Sequence, residues 1–299
     1  MASLFLGTVV RWTQIRTLNG GNMKLSSDQC YEAVRSKDPR FDGLFFTAVS
    51  STGIYCRPIC HVRIPKRENC TFYSSAAEAE ANGYRPCLKC RPELAPGYLN
   101  GKYTCQHVVR AVLQMEELGL TEEKLTDLAA KLRIGERQLR RVFQEAFGVS
   151  PIQYLTTRRL LTAKGLLTDT SLSVTEVAMI SGFGSIRRFN DAFKSHYGLS
   201  PSALRKSFEK RKVEKTIVLK LGYRPPFDWQ SLLRFLQERV IPGVEEVSDG
   251  TYRRTAALWR DEKQYVGWFQ VENQEIHSSV RLMVSESLAA VLPQIVQRV

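Results

Sequence analysis

Histidine is scarce in this chain and long apolar runs are absent. Four histidines in 299 residues leave little room for an imidazole-rich metal cluster or a histidine-based acid–base site. No apolar stretch approaches the length of a membrane span. The run Leu4–Val10 is too short for a signal peptide, has no basic segment ahead of it and is broken by Arg11 and Trp12. Seven cysteines are an odd number, and with no secretion signal before them a disulfide framework fits poorly. Acidic residues are in deficit, 30 against 43 lysines and arginines, so the net charge is +13.

That excess is unevenly placed. Residues 1–104 hold 14 basic and 8 acidic residues, residues 105–212 hold 18 and 11, and residues 213–299 hold 11 of each. The first two segments therefore suit a polyanionic partner such as double-stranded DNA, and the third does not. Hydrophobic residues make up 43% of the chain, an ordinary globular composition, and the length suffices for two or three cores.

The stretch from Thr52 to Arg91 carries the chemistry. Cys56 and Cys60 form a C-x3-C pair, Cys87 and Cys90 a C-x2-C pair. Two close pairs separated by a loop have the spacing of a tetrahedral Zn2+ site, each pair chelating from a tight turn. Cys30, Cys70 and Cys105 lie outside the pattern; paired disulfides or chance clustering of thiols are the alternatives. Arg57, Arg63, Lys66, Arg67, Arg85, Lys89 and Arg91 crowd the same stretch. Such cations attract a phosphate backbone, and a metal-bound thiolate facing DNA can be a nucleophile as well as a ligand. The plainer reading is a solvated basic surface around a structural metal.

T-G-I-Y-C-R-P-I-C, R-E-N-C-T-F-Y and Y-R-P-C-L-K-C together resemble the N-terminal zinc domain of the Ada family, which repairs methylphosphotriesters in DNA. The resemblance implies that Cys56 is both ligand and methyl acceptor, that Cys60, Cys87 and Cys90 complete the Zn2+ site, and that Thr52, Arg63, Arg67 and Arg85 lie along the DNA backbone. It further implies a single-turnover transferase, because the thioether product is inert.

From Cys105 the apolar spacing is helical. Leu125, Leu128, Ala129 and Leu132 fall at i, i+3, i+4 and i+7, and Leu139, Val142, Phe143, Ala146 and Phe147 continue the pattern. Gly148-Val-Ser-Pro151 recurs as Gly198-Leu-Ser-Pro201, and Leu139 and Phe143 recur as Phe189 and Phe193. A repeated short helix, turn and second helix is a duplicated helix-turn-helix. Arg137, Arg140 and Arg141 fall on the outer face of the first recognition helix, Arg187 and Arg188 on that of the second. The pattern is similar to the AraC-type DNA-binding domain, which implies two recognition helices joined by a long helix over Pro151–Leu167. Two departures stand out: Gly135 where a Ser or Asp cap is usual, and Ile186 where a hydrogen-bonding side chain would read a base.

In the last segment Thr216–Leu221 and Tyr265–Val271 read as strands and Trp229–Arg239 as a helix. L-G-Y-R-P-P-F-D-W and F-L-Q-E-R-V-I-P-G-V-E-E-V resemble the N-terminal domain of AlkA-type 3-methyladenine DNA glycosylases, shaped like half a TATA-binding protein. Ile241–Val244 lacks the G-x-x-T-A that would make it a helix-hairpin-helix. No P-C-H-R motif is present, so the alkylguanine-repair half of some Ada relatives is not expected. Leu288, Val291, Leu292, Ile295, Val296 and Val299 form an apolar stripe running to the last residue, which suggests truncation before the catalytic glycosylase half, or a missing partner.

The expected protein is a multidomain α+β chain. An unpatterned extension occupies residues 1–22, so translation starts at Met1 or Met23. A small α/β zinc domain with four cysteine ligands follows over 23–96, then an all-α double helix-turn-helix over 103–210, then a small antiparallel α+β TATA-binding-protein-like domain over 214–299. The resemblances imply a monomeric DNA alkylation-damage response protein of the bacterial cytoplasm, associated with the nucleoid. It would bind methylated and operator DNA, possess no membrane contact and no glycosylase activity, and activate transcription through RNA polymerase. The alternatives are a zinc-stabilised regulator without methyl transfer and a non-catalytic remnant of a glycosylase fusion.

Overall fold

A computed structural model describes residues 25–96, 111, 125–208, 216–260 and 262–299. The N-terminal extension, residues 97–110 with Cys105, residues 112–124 and residues 209–215 lie outside these residues. Helix α1 (Ser27–Ser36) begins at a capping box in which Ser26 accepts from the Gln29 N–H and the Gln29 side chain accepts from the Ser26 N–H at 2.8 Å. Such a cap contributes about 1 kcal/mol. Four short strands follow, β1 (Phe46–Val49), β2 (Ile54–Cys56), β3 (Cys70–Tyr73) and β4 (Arg85–Pro86), in the order β3-β1-β2-β4. Strand β2 pairs with β4 in parallel, and the other two pairs are antiparallel. Helix α2 (Ala76–Ala81) lays Ala76 and Ala79 on Phe46 and Tyr55, because small side chains let it approach the sheet closely.

The helical part holds α3 (Leu125–Lys131), α4 (Glu136–Phe147), α5 (Pro151–Asp169), α6 (Val174–Ile180), α7 (Ile186–Tyr197) and α8 (Pro201–Lys206). Both G-x-S-P motifs work alike. Gly148 and Gly198 close α4 and α7 in the left-handed region, Ser150 and Ser200 cap the next helix, and Pro occupies its first turn. The aromatic stripes point inward: Phe143, Phe189 and Phe193 have no exposed surface.

Helix α5 is buried on nearly every side, which its apolar content alone does not explain. Thr157, Leu161, Lys164 and Thr168 recur at alternating four- and three-residue steps and so share one face. That face meets the zinc module. Leu161 joins the Phe46–Tyr55 core, Thr157 donates to Glu80 at 2.7 Å, and Lys164 binds Glu93 at 2.6 Å. Asp169 accepts from Arg91 at 2.6 and 2.8 Å.

The third module is a five-stranded antiparallel sheet in the order β5-β9-β8-β7-β6. Its strands are β5 (Thr216–Gly222), β6 (Glu245–Ser248), β7 (Thr251–Arg260), β8 (Lys263–Gln274) and β9 (Ser279–Ser285). Helices α9 (Trp229–Gln237) and α10 (Leu292–Arg298) accompany it. Sequence patterning missed β6, β7 and β9, because Thr-Ala-Ala-Leu-Trp-Arg in β7 has no clean alternation and its outer face is half polar. The terminal apolar stripe is covered by the chain itself. Leu288, Val291, Leu292 and Ile295 enter the core that holds Leu282 and Val284 of β9 with Phe189 and Phe193 of α7, so the stripe does not by itself call for a missing partner.

Candidate metal centre and nucleic-acid interface

The parallel strand pair assembles the centre. Tyr55 lies opposite Pro86, and the Cys87 N–H donates to the Tyr55 carbonyl at 3.0 Å, which sets Cys56 and Cys87 side by side. After Cys56 the chain reverses at Pro58, closed by the Cys60 N–H on the Arg57 carbonyl at 3.1 Å. A second tight turn brings Cys90 back. The four sulfurs lie within 4.8 Å of one another, and a tetrahedron with Zn–S bonds of ~2.3 Å requires separations of ~3.8 Å. Cys56, Cys60 and Cys87 are buried and Cys90 is partly exposed.

Four thiols this close compete for protons. Hydrogen bonding to Cys60 holds the proton on Cys56, and bonding to Cys56 does the same for Cys90; donation from Cys56 draws Cys60 down to about 7 and Cys87 lower still. A divalent cation that replaces the protons removes this conflict, so an all-sulfur donor set of this size fits Zn2+. Backbone N–H groups are shared unequally. Val62 donates to Cys60, Cys90 to Cys87 and Arg57 to the Cys90 sulfur at 3.4 Å, whereas no backbone donor reaches Cys56 among the described residues. Cys30 and Cys70 take no part: Cys30 packs in the α1 core and the Cys70 thiol donates to the Lys66 carbonyl.

The surrounding cations divide into two sets. Arg63, Lys66, Arg85 and Lys89 are exposed, and Thr52 sits on the exposed β1–β2 turn with its hydroxyl on the Val49 carbonyl. Arg67 is half covered, 3.3 Å from Asp28 and stacked over Tyr31 and Phe72. Arg57 and Arg91 depart from the sequence reading, which placed them among phosphate-attracting cations. Arg57 is buried in a pair with Asp42. Burial disfavours the charge on Arg91, but Asp169 and Glu93 outweigh it and keep the guanidinium protonated well above its ordinary range. Buried acids, invisible in a local charge count, have claimed both.

On the recognition helices the arginines differ in freedom. Arg140 is bound to Glu136 at 2.6 Å, Arg141 lies 3.8 Å from Glu145 and Arg187 4.0 Å from Asp191. Arg137 and Arg188 are exposed with no ion pair among the described residues. Gly135 starts α4 with no side-chain cap, while Ser185 starts α7 by accepting from the Arg188 N–H, and Ile186 is exposed. Sequence reasoning missed Glu80, a buried carboxylate that accepts from Tyr55 at 2.9 Å and from Thr157, and lies 3.3 Å from His196 of α7. The one signal for it was the polar stripe along α5.

A four-cysteine metal centre flanked in sequence by exposed cations, joined to a duplicated helix-turn-helix and an antiparallel sheet module, defines a metal-binding chain of helix-turn-helix type. Three family models match it in order. They are the metal binding domain of Ada over residues 29–93, a helix-turn-helix domain over 128–207 and the AlkA N-terminal domain over 218–299. This is the order of the resemblances carried by the sequence motifs. The chain is 39% identical over 236 residues to the probable bifunctional transcriptional activator/DNA repair enzyme AlkA of Mycobacterium tuberculosis, covering 77% of this chain and 48% of that protein. It is 39% identical over 127 residues to the bifunctional transcriptional activator/DNA repair enzyme Ada of Escherichia coli, covering 42% and 34%. AdaA of Bacillus subtilis, with the same description, is 27% identical over 194 residues, covering 64% and 88%. The chain thus spans about half the length of the mycobacterial relative. No described helix is long and apolar enough to cross a membrane.

Proposed function

We propose that this chain accepts a methyl group from a DNA methylphosphotriester onto Cys56 and couples that event to sequence-specific DNA binding and transcription activation. The observation that carries the proposal is the sulfur cluster in which, among the described residues, Cys56 alone lacks a backbone N–H donor, with exposed Arg63, Arg85 and Lys89 close to the ligands in sequence. An N–H donated to a thiolate stabilises its charge and weakens it as a nucleophile, so the sulfur without one is the most reactive. Zn2+ bound by Cys56, Cys60, Cys87 and Cys90 would keep the sulfurs ionised at neutral pH. The Cys56 sulfur attacks the methyl carbon in line; an S–C bond forms, the C–O bond breaks, and its electron pair stays on the phosphate oxygen as the restored anion. The lesion is uncharged, so the thiolate approaches it without repulsion, and no general base is needed. The thioether does not revert, so each molecule acts once. Thr52, Arg63, Arg67 and Arg85 hold the damaged backbone.

Arg137, Arg141 and Arg187 read base edges, with Arg140 and Arg188 on adjacent backbone, and two reading helices in one chain make a monomer sufficient. RNA polymerase is the partner that activation requires. The match in residues 218–299 is to an N-terminal domain alone, so base excision is not proposed of these residues. Four thiolates around a divalent ion leave −2 and methylation leaves −1. At ~8 Å from a phosphate and an effective dielectric of ~40 this relieves roughly 1 kcal/mol per phosphate, so operator affinity should rise about 10- to 100-fold, less at high salt. Intact-mass analysis after incubation with methylated DNA tests the transfer: a gain of one methyl, mapped to Cys56, is expected. An unchanged mass alongside retained operator binding favours a zinc-stabilised regulator instead, and release of free 3-methyladenine points to a glycosylase.

A further inference from the structure

Arg57 follows Cys56 directly, yet its side chain turns inward. It is 7% exposed, and both its Nε, at 2.9 Å, and its Nη2 donate to the carboxylate of Asp42, which is 2% exposed. The same guanidinium donates from Nη1 to the Cys90 carbonyl at 3.2 Å, while the Arg57 backbone N–H donates to the Cys90 sulfur at 3.4 Å. One residue thus grips the fourth ligand at two atoms. Removing two charges from water is costly, and tetrahedral sulfur coordination by itself needs no such pair. Arg224, just beyond β5 in the third module, is half-buried and also senses the Asp42 charge, so that module reaches the outer side of the same clamp.

We propose that Arg57 and Asp42 are a positioning pair that orients Cys90 within the sulfur cluster and thereby selects Cys56 as the sulfur that is alkylated. The inference rests on the methyl-transfer reading and adds what decides between the sulfurs. Cys90 belongs to the same cluster, its sulfur within 4.8 Å of that of Cys56. The Arg57 N–H quenches Cys90 as long as the turn from Cys56 to Cys60 is fixed, and the forked contact with Asp42 fixes it. Release of the fork lets the N–H swing off the sulfur, and Cys90 then competes for the methyl carbon by the same displacement.

The test uses the full-length, zinc-loaded protein with Arg57→Gln, Arg57→Lys and Asp42→Asn. Methyl should divide between Cys56 and Cys90 on peptide mapping, and transfer at saturating methylated DNA should slow about 10- to 100-fold, as expected of a small misplacement of reacting groups. DNA affinity should stay at the wild-type value. Lysine should behave like glutamine, because an ammonium cannot make the fork. In the cobalt-substituted variants the sulfur-to-metal charge-transfer band should shift. Methyl found solely on Cys56 at the wild-type rate in folded, loaded variants overturns the proposal. If the variants do not take up metal, cadmium-substituted wild-type protein decides. A scalar coupling between cadmium and the Arg57 amide proton, transmitted through the Cys90 sulfur, is expected, and its absence overturns the pair's role. Wild-type protein that takes up no methyl refutes the underlying transfer reading, while the cadmium coupling still reports on the clamp.

Discussion

The two helix-turn-helix copies share a sequence pattern but not a foundation. The first packs Leu128, Leu139, Phe143 and Phe147 into a core that also takes Ala77 of the zinc module, and Ser75 of that module donates to the Phe147 carbonyl at 2.7 Å. The second packs Phe189, Phe193 and Tyr197 into one continuous core with Leu282, Val284 and Leu288 of the sheet module. The hydrophobic cores therefore do not follow the boundaries that the repeat suggests. The core of each copy is continuous with a different neighbour, although His196 of α7 also reaches Glu80 of the zinc module, and among the described residues α5 alone enters both cores. Even the repeated glycines diverge. A side chain at Gly148 would collide with Glu78, whereas nothing stands near Gly198. Duplication supplied two helix-turn-helix copies, and the flanking modules made them unequal.

Metal removal should break this asymmetry most strongly. Cys87→Ser, or chelation, removes ~10 kcal/mol or more of folding free energy from the zinc module. Amide exchange should then accelerate in α2 and α4 while α7 keeps its protection; equal acceleration in both copies would show that the two foundations are not separate. Phe189→Ala should cost about 3–5 kcal/mol and loosen α7 together with β9, and Phe143→Ala should cost the same while sparing β9. Exchange rates measured by mass spectrometry distinguish the two patterns. Lys164→Met leaves Glu93 to Arg91 alone and should cost ~3 kcal/mol, read as a lower denaturation midpoint and as easier proteolysis of the zinc module. The caps give the finest comparison. Ser185→Ala should lower stability by ~1 kcal/mol, and Gly135→Ser, which has open space and a permissive backbone, should raise it by only about 0.3 kcal/mol. A gain at Gly135 larger than the loss at Ser185 would mean that the first reading helix is held back chiefly by its start.

Much of this was legible in the residues because local chemistry decided it. The paired cysteines, the G-x-S-P stops and the inward aromatic stripes each depend on neighbours within a few positions, and each stands where its spacing indicated. What escaped depends on distant partners. Arg57 and Arg91 look like surface cations until Asp42 and Asp169 arrive from 15 and 78 residues away. Lys164, 1% exposed, is unexceptional in a helix until Glu93 is beside it. Strand β7 was missed because its pairing with β8, not its own alternation, makes it a strand. The terminal apolar stripe looked unpartnered because its cover comes from distant elements, strands β7 to β9 and helix α6.

Helix α5 also has a consequence for insertion and deletion. Its 19 residues span ~28 Å, and each residue added or removed turns everything beyond it by ~100°. One extra residue between Thr157 and Lys164 would place their partners Glu80 and Glu93 on different sides of the rod, and would swing α7 out of phase with α4. Seven extra residues would restore the bearing to within ~20° but lengthen the rod by ~10 Å. The helix is keyed like a camshaft: its length can vary only in steps that preserve phase, and a seven-residue step already moves α4 and α7 ~10 Å further apart along the rod.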